Sequence, residues 1–242
     1  MMTKYFAIEY GRNETLVGKI PQVKDFKHNC NVSDNSDFID KFPFKKIEGS
    51  PILSIPILYP ITKQTDIIDT YSNVGFSFGS LVISNKLKEI LDQFNCYGFQ
   101  FFPTYIIQDG STYSNYWQTH ICEMPFEYID FKKTKALILN IETRKIVTES
   151  VEISYAEEFL SIVNSLEYPK SISLKDISFE DKMDLDLFFI RFFENSGRGI
   201  VSEKLKNEIE KQECTGIEFR PIELSLQEWY HNGERERVYG KF

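Results

Sequence analysis

The chain has 242 residues, enough for one large or two small domains with an apolar core. Hydrophobic residues make up 42% and aromatic residues 15%, led by 21 Phe and 13 Tyr, which excludes wholesale disorder and suits a sheet-rich globule. The formal charge of −8 repels a phosphate backbone, so nucleic acid is not the expected partner; a basic protein partner, or plain solubility, fits that sign.

Residues Met1 to Tyr10 read as a first strand: they contain neither a long apolar segment nor a small-residue cleavage site of the secretory kind. No apolar run approaches the length of a membrane span, so no membrane partner is expected. Lys27–Asp40 is polar and turn-rich, a surface loop. Ser50–Ile61 is apolar but broken by Pro51, Pro56 and Pro60, which favours an extended segment over a helix.

The strongest internal signal is a repeat. Gly79–Ile106 recurs without a gap as Gly197–Leu224 at a shift of 118, with nine identities in 28 positions. Average composition predicts roughly two identities over such a length. The pairs include Ser84/Ser202, Lys86-Leu87-Lys88/Lys204-Leu205-Lys206, Cys96/Cys214, Gly98/Gly216, Phe101/Phe219 and Pro103/Pro221.

Each copy reads as strand, helix, strand. Ser84 and Ser202 stand where a helix N-cap belongs, and Gly98 and Gly216 mark the turn out of each helix. Pro103 and Pro221 place the following strands at a sheet edge or at a bulge, since proline donates nothing to a ladder. The first helix carries Leu87, Ile90, Leu91 and Phe94 on one face; the second has Glu208 and Gln212 where Ile90 and Phe94 stood, so it is expected to be more exposed.

Between the copies, Tyr113–Cys122, Ala136–Ile141 and Arg144–Thr148 read as strands. Ser154 and Glu157 have the spacing of a capping box, opening a helix whose apolar face is Ala156, Phe159, Leu160, Val163 and Leu166. Leu185–Phe193 reads as a buried strand, and Asn232-Gly233 as a hairpin turn in the tail. The expected fold class is α+β, sheet-dominated, with two duplicated strand–helix–strand units and one further helix between them. The expected domain organisation is a single globular unit, 1–242, built from two related halves of about 1–150 and 151–242.

Catalytic signatures are sparse. His28, His120 and His231 lack zinc-finger or HExxH spacing, and no GxSxG is present. Cys30, Cys96, Cys122 and Cys214 form no CxxC pair and read as reduced thiols of a cytoplasmic protein, with Cys96 and Cys214 as packing groups. Gly197-Arg198-Gly199 before a helix is the one candidate anion cradle, but the first copy has Gly79-Ser80-Leu81 there, and ordinary turn chemistry accounts for both. Asp184 and Asp186 offer a two-carboxylate site for a divalent ion, or equally a solvated strand face. No cofactor is expected. Acidic residues cluster at Glu142, Glu149, Glu152, Glu157, Glu158 and Glu167, and again at Glu203, Glu208, Glu210, Glu213 and Glu218, which would steer a basic partner if they share a face.

The run Ile83-Ser84-Asn85-Lys86-Leu87-Lys88-Glu89-Ile90-Leu91 followed by Gly98-Phe99-Gln100-Phe101-Phe102-Pro103 resembles bacterial immunity proteins of polymorphic toxin systems. The second copy, from Ile200 to Pro221, is similar to the same pattern. The resemblance implies a non-catalytic protein that binds and neutralises a cognate toxin, often a nuclease, inside the producing cell. It assigns no contact residue. The expected contacts come instead from the divergence between the copies: Glu203, Glu208, Gln212 and Glu213 on the second helix. The competing reading is a small-molecule-binding or hydrolytic enzyme with a site assembled from His120, Asp184 and Asp186; a scaffold paired through an exposed edge strand is a third.

Overall fold

The computed structural model describes residues 4–68, 81–194 and 197–241. Gly79 and Ser80, which open the first repeat copy, lie outside the described residues. The fold is mixed α+β and sheet-dominated, with thirteen strands and six α-helices among the described residues.

Strand β1 (Tyr5–Tyr10) runs between two strands from the far end of the chain. It is antiparallel to β12 (Arg198–Ser202) on one side and to β13 (Ile217–Pro221) on the other, with β11 (Leu187–Ile190) beyond β12. Alternation along β1 explains its central place. Tyr5 and Ala7 enter one core with Phe159, Leu174 and Phe188, while Phe6, Ile8 and Tyr10 pack against a second core on the opposite face. A strand that is apolar on both faces has to be covered twice.

A six-stranded sheet has the order β2 (Val23–Lys27), β3 (Ile55–Leu58), β6 (Phe99–Gln108), β7 (Ser111–Ile121), β5 (Val82–Ser84), β4 (Ile67–Ile68). Strand β6 lies inside this sheet, and its ladder with β7 shifts register between Thr104 and Ile106, just after Pro103. Pro221 ends β13 at the edge of its own sheet. A three-stranded sheet, β10 (Lys170–Lys175), β8 (Lys135–Asn140), β9 (Ile146–Val151), completes the architecture.

The two helices of the repeat segments, α2 (Asn85–Leu91) and α4 (Glu203–Lys211), meet across the second core, where Leu87, Leu91, Leu205 and Ile209 are buried together. Ser84 Oγ accepts from Leu87 N at 3.1 Å and Ser202 Oγ from Leu205 N at 3.2 Å, so both serines cap as expected. Gly98 and Gly216 have φ of +75° and +81°, and a Cβ at either would collide with a backbone carbonyl, of Glu123 or Ile67 respectively.

Several local expectations need correction. Helix α3 (Ala156–Ser165) is capped by Tyr155 without a side-chain bond, so the Ser154–Glu157 capping box does not form. Ser154 N donates instead to Glu158 Oε2 at 2.7 Å, one residue later than the spacing suggested. The Leu185–Phe193 run is a strand only over Leu187–Ile190. Asn232-Gly233 makes no hairpin: it separates α5 (Leu226–His231) from α6 (Glu234–Tyr239). Those helices form because Ser225 and Glu228 make a true capping box and because Trp229 and Arg235 are buried. The short α1 (Glu14–Val17) follows Asn13, whose side chain accepts from Thr15 N.

Candidate interaction surfaces

Of the titratable groups that sequence reasoning singled out for chemistry, His120 and Asp186 are held by separate structural partners. His120 Nε2 lies 2.8 Å from the Lys45 carbonyl, within β7. Asp184 is exposed, whereas Asp186 is buried just before β11. The expectation that both face one side of a strand is therefore wrong, because that strand begins only at Leu187. Among the described residues, no three His, Cys, Asp or Glu side chains gather in a group able to hold a metal.

Asp186 has a counterpart that the sequence did not reveal. Ser202 Oγ donates to Asp186 Oδ1 at 2.6 Å, and Asn95 N to Asp186 Oδ2 at 3.1 Å. Ser84 Oγ donates to Asp66 Oδ1 at 2.5 Å, and Thr215 N to Asp66 Oδ2 at 2.8 Å. Each aspartate thus holds the capping serine of its own neighbouring helix and the loop that follows the other helix. The carbonyl of Thr215 in turn accepts from Asp66 N and Ile67 N, and that of Asn95 from Asp186 N and Leu187 N. Lys86 and Lys204 approach the two carboxylates at 4.0 and 3.6 Å. Asp66 precedes the repeated segment, and the shift of 118 carries it onto Asp184, two residues short of the structural equivalent Asp186. This reciprocal clasp ties α2 and α4 together and engages the carboxylates in structure.

The same is true of the buried arginines. Arg220, fully buried, donates from Nε to Glu9 Oε1 at 3.0 Å and from Nη2 to Glu194 Oε2 at 2.5 Å. Arg235 donates from Nε to Glu218 Oε2 at 2.7 Å, and Arg12 N donates to Glu218 Oε1. Glu218 therefore belongs to the interior and not to an acidic surface, a correction to its place in the second acidic cluster. Arg198 of the candidate anion cradle has Glu9 3.5 Å away, and a Cβ at Gly199 would press on Ile8 Cδ1. Close packing and an ion pair account for that motif.

Burial pushes the Cys96 thiol up to about 12, aided by the charge of Asp186, and the Cys214 thiol up to about 11 with help from Asp66. Neither supplies a thiolate near neutral pH. A cleft of about 200 Å³ lies beside α1 and α4, lined by apolar groups such as Leu16, Ile209 and Ile217 with Tyr239. It is smaller than the pockets that enclose drug-sized ligands, about 300 Å³ or more.

Two acidic surfaces remain. The first is the outside of α4, where Glu203, Gln212 and Glu213 are exposed and Glu208 is half-buried. Lysines neutralise part of it: Lys206 pairs with Glu210 at 2.6 Å and Lys211 with Glu208 at 3.1 Å. Hydrogen bonds from Gln212 and Lys211 hold the Glu208 carboxyl below its usual range. Helix α4 is thus less acidic in effect than its glutamates suggest.

The second surface comprises the β8–β9 hairpin and α3. Residues 141 to 150 are all exposed. Ile141 N donates to the Pro169 carbonyl at 2.9 Å and Tyr168 Oη to Glu142 Oε1 at 2.6 Å, which brings the end of α3 beside the hairpin tip. Large apolar groups stand open to solvent here, on the same segments of chain that carry the first acidic cluster. Sequence reading recorded the glutamates but not the exposed apolar groups, because exposure is not visible in composition.

The model of the immunity protein family (Imm11) matches residues 53–224, well over half of the chain, including both repeat helices and the β8–β9 hairpin. The chain belongs to this immunity protein family. No curated protein matches it. No helix among the described residues is long and apolar enough to cross a membrane.

Proposed function

We propose that the protein binds a cognate bacterial toxin and neutralises it by occupancy, without catalysing a reaction. Membership of the immunity protein family carries this reading. The chemistry of the interior is in keeping with it: Asp66, Asp186, Glu9, Glu218, Arg220 and Arg235 are tied into hydrogen-bonded structure, and His120 is held by a backbone carbonyl.

The net charge of −8 favours a basic toxin, as an enzyme that acts on nucleic acid would be. The acidic partner-facing groups are those of the hairpin–α3 surface together with Glu203 and Glu213 on α4, while Glu208 and Gln212 are engaged with one another. The protein works in the cytoplasm of the producing cell, where such a toxin would otherwise act.

Co-expression with the product of the neighbouring toxin gene tests the reading. The expected result is a complex that survives affinity purification and gel filtration, and cells that grow only when both genes are expressed. A neighbouring product that is neither toxic nor bound would overturn it.

A further inference from the structure

We propose that β9 and the apolar side chains beside it receive an extended, lysine- or arginine-bearing segment of the toxin as an added strand. The inference rests on the toxin-binding reading above and assigns that reading a surface.

An edge strand leaves a row of backbone donors and acceptors unpaired, and folded proteins usually cover or blunt it. Among the described residues the other sheet edges are treated in that way; on β4, for instance, Ile67 N donates to the Thr215 carbonyl at 3.2 Å. Strand β13 is closed by the tail, with Phe219 N donating to Tyr239 Oη at 2.8 Å. Strand β10 exchanges backbone bonds with the segment around Phe193, through Leu174 N to Phe192 O and Glu194 N to Leu174 O. Strand β11 is buried throughout and meets Cys96 at a bridge. Strand β2 carries Lys24, Asp25 and Lys27, and a register shift between Val23 and Asp25.

Strand β9 differs. Among the described residues it pairs with β8 on one side only, and five of its six residues are exposed, from Ile146 to Ser150. Beside it, apolar groups are open to solvent: Ile141 at 46%, Ile146 at 51%, Val147 at 52%, Tyr155 at 58% and Tyr168 at 72%. Ile146 and Val147, neighbours in the strand, point to opposite sides, so exposed apolar groups flank the uncovered edge on both faces, and exposed apolar surface of this kind marks an interaction site. Tyr168 is a rigid amphipathic anchor of the type that dominates binding energies. Register shifts between Ala136 and Leu139 on β8 interrupt the ladder, so the regular edge is short. The added strand is correspondingly short, and side-chain anchors supply much of the affinity.

Charge selects the occupant. Between Ile146 and Pro169 there are five glutamates (Glu149, Glu152, Glu157, Glu158 and Glu167) and no lysine or arginine. Arg144, Lys145 and Lys170 flank this stretch at the turn and at the start of β10. A basic strand meets opposite charge at Glu149 on β9 and at Glu152 just beyond it, while the net charge of −8 on each chain opposes association with a second copy.

The test uses the full chain and the purified product of the neighbouring toxin gene. Val147→Lys with Tyr168→Ala is expected to weaken binding about 30-fold or more, the range of central anchor residues. Glu48→Lys with Glu223→Lys, exposed positions outside the proposed contact groups, is expected to change affinity less than about threefold, the effect of charges away from the contact. Backbone amides of residues 146–151 should gain hydrogen-exchange protection in the wild-type complex, a readout that needs no variant to fold. Full affinity in the hairpin variant with unchanged exchange at β9 would overturn the assignment while leaving toxin binding intact. Self-association of the free protein through β9 would overturn the proposed occupant. Absence of any complex with the wild-type chain would overturn both this inference and the reading beneath it.

Discussion

At the residue scale, Asp186 and its neighbour Asp184 make a controlled comparison. Removing the buried carboxylate leaves the Ser202 hydroxyl and the Asn95 N–H without their acceptor. Asp186→Ala should cost about 3 kcal/mol, given roughly 1.5–3 kcal/mol for a hydrogen bond to a charged group. Asp184→Ala, at an exposed position, should stay within about 0.5 kcal/mol of wild type. Equal urea midpoints for the two variants would contradict the bonding described. Arg235→Leu should cost about 3–5 kcal/mol, because it strands a buried Glu218. The buried thiols set an alkaline limit. Cys96 and Cys214 hold their protons to about 12 and about 11 in the folded chain, whereas unfolded thiols ionise near their ordinary value. Above that value the unfolded state binds fewer protons, so stability falls as pH rises from about 9 towards 12. Denaturant melts of a Cys96→Ala, Cys214→Ala variant should show a shallower alkaline decline than wild type.

At the element scale, what was legible is what local chemistry dictates. The capping serines, the apolar spacing of α2 and the glycine exits were readable, because each is decided within one turn of chain. Gly98→Ala and Gly216→Ala should each cost more than about 2 kcal/mol: a left-handed residue costs roughly 1–2 kcal/mol, and the new Cβ also strikes a carbonyl. Thermal melts check this directly. The elements that escaped are those settled by distant contacts. The tail reads as a turn until Trp229 and Arg235 find their places inside, and then Asn232-Gly233 becomes a break between helices. Asp66 is invisible as a partner of Ser84 because the two lie 18 residues apart, with a strand paired between them. The openness of β9 escaped for a different reason. Its sequence, IVTESV, has the composition of a half-buried strand, and only the placement of the other elements leaves it uncovered.

At the scale of the whole molecule, the first strand joins the last three strands in one sheet. The β8–β9 hairpin and α3 pack on one of the two cores beside that sheet, and among the described residues Glu149, Glu152, Glu157, Glu158 and Glu167 on their outer side form no ion pair. Association with a basic toxin should therefore be steered: raising ionic strength from about 20 to 200 mM should slow association about tenfold or more and change dissociation little. Stopped-flow mixing measures both rates. The central claim is neutralisation by occupancy, and a titration of toxin activity tests it most directly. With toxin held well above the dissociation constant, residual activity should fall in proportion to added protein, reach its floor at a fixed stoichiometric ratio, and return when the complex is dissociated. Complete and lasting loss of toxin activity at a small fraction of that ratio, growing with incubation time, would contradict the account and point to a catalyst.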